Sequence, residues 1–132
     1  MNIPEELMYS EDHQWVRIEG DGLIRIGVTD YAQDALGEVV FVELPAVDLE
    51  IEKGNMLGEV ESSKSVSEIS APVSGKILEI NDDLESYPTK INDDPYGEGW
   101  ICLMATEGSS PEGLLLDAES YRSLLELSLI HI

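Results

Sequence analysis

Met56-Leu57-Gly58-Glu59-Val60-Glu61-Ser62-Ser63-Lys64-Ser65-Val66-Ser67-Glu68-Ile69-Ser70 is the stretch on which the fold turns. Two runs that alternate apolar and polar residues flank a short polar break, which reads as a β-hairpin with Lys64 at its tip. The chain has four lysines against 28 carboxylates, so this placement stands out. Ser62, Ser63 and Ser65 add no bulk around the amine. An exposed amine at a tight turn is what an enzyme needs if it is to acylate it. A free lysine amine titrates near ~10.4 and is a poor nucleophile at neutral pH, so such a reaction needs an activated acyl donor. The turn chemistry points the same way. Two-residue hairpin loops favour Asn-Gly or Asp-Gly because positive φ is required there, and Ser63-Lys64 departs from that rule. A turn that ignores its own propensities is a candidate functional site. Taken alone, however, Lys64 reads better as an ordinary solvated turn lysine.

Further strands lie on both sides. Gln14-Trp15-Val16-Arg17-Ile18 and Leu23-Ile24-Arg25-Ile26-Gly27-Val28 flank Glu19-Gly20-Asp21-Gly22, a second hairpin signal. A short helix is expected over Thr29 to Gly37, with Asp30 as its cap, Gln33 three residues on and Gly37 at its exit. Val39-Val40-Phe41-Val42 is continuously apolar and is expected to be a strand buried on both faces, ended by Pro45. Gly75-Lys76-Ile77-Leu78-Glu79-Ile80-Asn81 echoes Gly37-Glu38-Val39-Val40-Phe41-Val42-Glu43, which hints at two similar sheet halves joined at the lysine hairpin. Residues 82–99 are polar and turn-rich, and a strand is expected from Trp100 to Ala105. Ser110-Pro111 suits a helix start. Asp117 caps a stronger helix through Glu126, with Ala118, Tyr121 and Leu125 on one face.

Composition narrows the function. The 132 residues, 42% apolar, suffice for one domain with its own core. A formal charge of −21 excludes nucleic acid and anionic membranes as partners. It fits either solubility or steering toward enzymes with basic docking surfaces, in a salt-sensitive association. Cys102 is the only cysteine, so no internal disulfide forms, and its apolar neighbours make it a small core residue. No run is long enough to span a bilayer, and the acidic start Met1-Asn2-Ile3-Pro4-Glu5-Glu6 is unlike a signal or transit peptide. A cytoplasmic protein is therefore expected. The tail Leu127-Ser128-Leu129-Ile130-His131-Ile132 lacks cap, stop and amphipathic logic, and matches the translation of a widely used transposon sequencing adapter. It is expected to be non-native, leaving residues 1–126 as the domain.

No other constellation carries chemistry. His13 and His131 are poorly partnered for a metal. Asp82-Asp83 and Asn92-Asp93-Asp94 lack the regular oxygen spacing of a calcium loop and read as solvated acidic loops. No Ser-His-acid set and no phosphate-binding glycine loop can be placed.

Several ordered segments, however, closely resemble the glycine cleavage system H protein family. They are His13-Gln14-Trp15-Val16; Gly27-Val28-Thr29-Asp30-Tyr31-Ala32-Gln33; Leu36-Gly37-Glu38-Val39-Val40-Phe41-Val42-Glu43-Leu44-Pro45; Glu61-Ser62-Ser63-Lys64; Ala71-Pro72-Val73-Ser74-Gly75; Asn92-Asp93-Asp94-Pro95-Tyr96-Gly97-Glu98-Gly99-Trp100; and Leu116-Asp117-Ala118-Glu119-Ser120-Tyr121. The resemblance runs from about Tyr9 to Glu126. It implies a mostly β, flattened barrel-sandwich hybrid of the lipoyl/biotinyl-carrier type, with an N-terminal hairpin extension, short helices and a C-terminal helix. It also implies lipoic acid in amide linkage to Lys64, with Glu61, Ser63 and Ser65 as hairpin recognition residues and Gln14 as a contact of the arm. The implied partners are the pyridoxal-phosphate glycine decarboxylase (P protein), the tetrahydrofolate-dependent aminomethyltransferase (T protein) and dihydrolipoyl dehydrogenase (L protein). A lipoate ligase or an octanoyl or lipoyl transferase would attach the arm. The protein would be a carrier substrate of these enzymes and not an enzyme itself, cytoplasmic or, in a eukaryote, in the mitochondrial matrix.

Two departures from the family pattern matter. Gln14 stands where the family usually has Glu, so a neutral amide would meet a cationic cargo. Ser63 and Ser65 replace a larger apolar residue and an alanine beside the lysine. The competing readings are a relay that donates lipoyl groups to other proteins and an unmodified structural paralogue. A biotin carrier typically has methionines flanking its lysine, and a 2-oxo acid dehydrogenase lipoyl domain is typically shorter and lacks the His13-Gln14-Trp15 segment.

Overall fold

The alternating runs around Lys64 form an antiparallel hairpin in a computed structural model that describes residues 2–106 and 115–130. Its strands are β6 (Met56–Ser62) and β7 (Val66–Ser70), with Glu61 opposite Val66, Val60 opposite Ser67 and Glu59 opposite Glu68. On the far side of β6 lies β4 (Val39–Glu43), completing a three-stranded sheet in the order β4-β6-β7. The second sheet has six strands. In spatial order they are β1 (Met8–Tyr9), β2 (Gln14–Gly20), β3 (Leu23–Val28), β9 (Cys102–Thr106), β8 (Gly75–Ile80) and β5 (Glu50–Ile51). Among the described residues neither sheet closes into a barrel. The mostly β, two-sheet architecture with short helices is the one expected.

The main core lies between the sheets. Val42, Val60 and Ile69 of the smaller sheet join Val16, Ile24, Ile26, Ile77 and Met104 of the larger one in a single buried cluster. The echoing segments at Gly37 and Gly75 become β4 and β8, one strand in each sheet. Cys102 is buried in this cluster, and loss of water around it pushes its thiol up to about 12, which leaves it an unreactive core residue at neutral pH.

A second cluster fixes helix α4 (Ala118–Ile130) against β1 and β2 through Tyr9, Trp15, Ala118, Tyr121 and Leu125. Tyr9 and Tyr121 stack with ring centroids 4.7 Å apart. Trp15 donates from Nε1 to the Pro95 carbonyl at 2.8 Å. The residue opposite Trp15 is Gly27, and a β-carbon there would sit 2.5 Å from the indole, so only glycine leaves the ring room. Asp117 caps the helix as expected, accepting from the Ser120 amide at 2.8 Å. The helical backbone continues past Glu126 to Ile130, into the segment read as non-native. Ser110, Pro111 and His131 lie outside the described residues.

Three local expectations need correction. The cap of helix α1 (Asp30–Leu36) is Thr29, not Asp30. The Thr29 hydroxyl accepts from the Ala32 amide at 3.2 Å, while Asp30 is already helical and takes the Gln33 side chain at 2.7 Å. Gly37 ends α1 at φ +82, as its chemistry suggested. Secondly, β4 is not buried on both faces. A bulge between Val39 and Phe41 turns both Val40 and Phe41 to solvent. Thirdly, residues 82–99 contain two one-turn helices, α2 (Asp83–Ser86) and α3 (Lys90–Asp93). Each is pinned to the core by one buried apolar residue, Leu84 and Ile91, in an otherwise polar run.

Candidate functional site: the lysine hairpin and its cleft

Lys64 sits exposed at the tip of β6–β7. The turn closes in an unexpected way. The Ser62 amide donates to the Ser65 carbonyl at 2.8 Å. The reciprocal donors are taken by a side chain: Ser62 Oγ accepts from the Lys64 amide at 3.2 Å and the Ser65 amide at 3.1 Å, and donates to the Ser65 carbonyl at 3.2 Å. None of Ser62 to Ser65 has positive φ. The turn therefore does not break the Asn-Gly rule under strain; a serine hydroxyl replaces the primed geometry and makes glycine unnecessary.

The lysine stem lies over Gly37, the last residue of the α1 cap. A β-carbon at Gly37 would stand 2.9 Å from Lys64 Cε, so glycine serves both the left-handed backbone and the space for this stem. Among the described residues Lys64 Nζ has no hydrogen bond or ion pair. Asn92 holds this platform together. Its Oδ1 accepts from the Val39 amide at 2.9 Å, while Nδ2 donates to the Gly37 carbonyl at 2.8 Å and to Gln33 Oε1 at 3.0 Å.

Immediately beside the tip, a cleft of about 310 Å³ opens between α1 and the free edge of β7. Ser65 and Val66 form its hairpin end. Val28, Ala32, Leu36, Val60 and Ile69 give it an apolar wall; Asp12, His13, Gln14 and Glu68 give it a polar one. Gln14 is buried and hydrogen-bonded at both ends of its amide. Its Oε1 accepts the Ser10 hydroxyl, and its Nε2 donates to Ser70 Oγ at 3.3 Å. Ser70 in turn donates to Asp12 Oδ2 at 3.0 Å, so the buried amide is wired to an exposed carboxylate at the rim.

His13 is held at φ +67, and its Nδ1 lies 2.8 Å from the Tyr121 hydroxyl, which lies 2.8 Å from Thr29 Oγ1. A neutral imidazole protonated at Nε2 satisfies all three groups: Thr29 donates to Tyr121, Tyr121 donates to His13 Nδ1, and Thr29 Oγ1 accepts the Ala32 amide. Burial lowers the His13 pKa, a shift that nearby Asp12 partly opposes. Burial likewise pushes the Tyr121 hydroxyl up to about 12, keeping it a donor.

A family profile described as Glycine cleavage H-protein matches residues 7–128. The chain belongs to that family. It is 53% identical over 124 residues to the glycine cleavage system H protein of Mycolicibacterium vanbaalenii, covering 92% of this chain and 95% of that one. It is 48% identical over 130 residues to the H protein of Mycobacterium tuberculosis, covering 94% and 97%. The crystal structure of a glycine cleavage system H protein from Mycobacterium marinum superimposes with a TM-score of 0.84 at 40% identity, covering 92% of this chain and 97% of that one.

Within this H-protein fold the residues singled out from sequence separate into two sets. Gln14 and Ser65 line the same cleft although 51 positions separate them in sequence. Glu61 does not join them. It faces outward from β6, between Phe41 and Val66. Ser63 donates its amide to the Glu38 carbonyl at 3.4 Å and offers nothing to the cleft. The residues missed from sequence are Asp12, His13, Gly37 and Glu68. His13 read as a bland surface histidine because its partner, Tyr121, is 108 residues away. Gly37 was legible as a helix cap, but not as the surface beneath Lys64.

Proposed function

We propose that Lys64 carries a lipoyl group in amide linkage, and that the protein shuttles the aminomethyl unit of glycine from the decarboxylase to the tetrahydrofolate-dependent aminomethyltransferase. Dihydrolipoyl dehydrogenase then restores the carrier. The observation that supports this most is the position of an unpaired, exposed amine beside a cleft with one apolar and one polar wall. On this reading the protein is a carrier and not a catalyst.

The cleft fits the group. An acyl chain ending in a dithiolane is apolar and suits the wall formed by Val28, Ala32, Leu36, Val60 and Ile69. When bound, the lipoyl group supplies a disulfide that accepts the aminomethyl unit and is left as a dithiol once that unit has been passed on. The chain's own residues do the rest. Lys64 Nζ, once deprotonated, attacks the carbonyl carbon of an activated acyl donor, whose leaving group departs as the amide forms. Lysine's flexible stem gives a tether that raises the effective concentration of its cargo at successive enzymes. Gln14, a neutral amide whose Oε1 accepts from Ser10, brings no charge to a cationic cargo. Asp12, at the rim of the same cleft, supplies the negative charge. That compensation favours the shuttle over a lipoyl relay, the reading that Gln14 alone encouraged.

The chain also has, among its described residues, no helix long and apolar enough to cross a membrane. We place its work in the cytoplasm of a bacterial cell, as its mycobacterial relatives suggest.

The test is intact mass of the protein from its native host. A lipoyl-sized increment that Lys64→Ala abolishes is expected. An unmodified mass under lipoate-replete conditions would overturn the proposal. Incubating the lipoylated protein with glycine and P protein should then add an aminomethyl increment; lipoylation without that addition would leave the relay.

A further inference from the structure

The apolar run Val39-Val40-Phe41-Val42 promised a strand buried on both faces, and the fold buries only Val39 and Val42. The β4 bulge leaves Val40 52% and Phe41 51% exposed. Phe41 pairs across the sheet with Glu61, and Glu61 with Val66, which is 59% exposed. These three residues form one row on the outer face of the three-stranded sheet, directly behind the Lys64 tip. The next row on that face is Glu43–Glu59–Glu68, three glutamates directly opposite one another.

Both rows cost the isolated protein stability. Like charges directly opposite in a sheet repel, and none of these four glutamates meets a lysine or arginine among the described residues. Half-exposed valine and phenylalanine side chains in mid-strand leave apolar surface in water. A partner that brings cations and an apolar hollow would remove both penalties. A second copy of this chain would not, because it would set glutamates against glutamates in a chain of formal charge −21.

We propose that this outer face is the docking surface for the enzyme that acylates Lys64, and that this enzyme presents a row of guanidinium or ammonium groups beside an apolar hollow. The inference rests on the reading that Lys64 is acylated. The distance argument selects the partner. A bare lysine extends only its own four-carbon stem beyond the turn. An enzyme that reaches Nζ must therefore close against the strands behind the tip. A long acyl arm frees the enzymes that act at its far end from that requirement. Phe41 and Val66 seat the contact, and the glutamate row steers and orients it.

The experiment compares the wild-type chain with Phe41→Ser and Glu59→Gln as substrates of a purified lipoyl-attaching enzyme that modifies the wild type, with product read by intact mass and stability by thermal melting. Each variant should lose at least about tenfold in kcat/KM, chiefly through KM. Glu59→Gln should melt above the wild type, because its like-charge opposition is relieved. Loss of kcat/KM with gain of stability in one variant is a result that damage to the hairpin does not give. Wild-type kcat/KM in both variants overturns the docking surface while leaving the Lys64 reading intact. Loss of acylation with lowered melting temperature in both would report a damaged hairpin and overturn it too. A wild-type chain that no lipoyl-attaching enzyme modifies removes the Lys64 reading, and this inference with it.

Discussion

One hydroxyl at Ser62 decides how Lys64 is presented, and one imidazole at His13 decides how the cleft wall responds to pH. Ser62 Oγ takes both amides that the primed turn would have bonded through its backbone, so the tip needs neither glycine nor asparagine. Burial lowers the His13 pKa and so favours the neutral ring, which the chain through Tyr121 to Thr29 accommodates. The sign follows from its lowered pKa. Above the unfolded histidine value of ~6.5 both states are neutral and the contact is at full strength. As pH falls through that value toward the lower folded pKa, the unfolded chain binds the proton first, so stability drops. Wild type should therefore lose more melting temperature between pH 7.5 and about 5.5 than His13→Asn, a substitution that tolerates positive φ. Parallel pH curves for the two proteins would show that His13 does not titrate in this way.

The three elements around Gly37 act as a joint, and Asn92 is its pin. Its amide fixes the end of α1, the start of β4 and α3 by three hydrogen bonds, and the first two carry the surface on which Lys64 rests. Asn92→Ala leaves the Val39 amide and the Gly37 carbonyl without partners, at an expected cost of about 2 kcal/mol in urea unfolding. A loss below about 0.5 kcal/mol would mean that water or a local shift replaces the pin. How far such elements were legible depends on how local their causes are. The hairpins and the α4 face were readable, because alternation and 3.6-residue spacing are written in adjacent residues. The capping-box spacing fits Asp30, whereas the hydroxyl that caps α1, on Thr29, has its second partner, Tyr121, 92 positions away. α2 and α3 hid in a polar run because a single buried leucine or isoleucine makes no period. The exposure of Val40 and Phe41 was hidden in the same way: a bulge is a property of pairing with β6, and an apolar run alone cannot announce it.

At the scale of the whole molecule, the core between the sheets and the tip at Lys64 could be read from sequence, but the cleft that joins Lys64 to Gln14 could not. Its walls come from α1, the start of β2 and the edge of β7, brought together only by tertiary packing. Charge acts over the same scale. Seven cations face 28 carboxylates, and among the described residues they form five ion pairs, four of them with at least one exposed side chain. Such pairs contribute little, so salt that weakens them removes less than it gains by screening repulsion among the remaining carboxylates. Raising sodium chloride from about 10 mM to about 100 mM shortens the Debye length from ~30 Å to ~10 Å. The melting temperature should rise by roughly 4 °C, equivalent to about 1 kcal/mol for a domain of this size. Steered association with a basic enzyme responds oppositely, because the same screening weakens attraction between the partners. Over that salt range kcat/KM for acylation of Lys64 should therefore fall while the substrate itself becomes more stable. A melting temperature that falls in parallel would show that the ion pairs outweigh the repulsion, and that the acidity of this chain is not a load its fold carries for the sake of its partners.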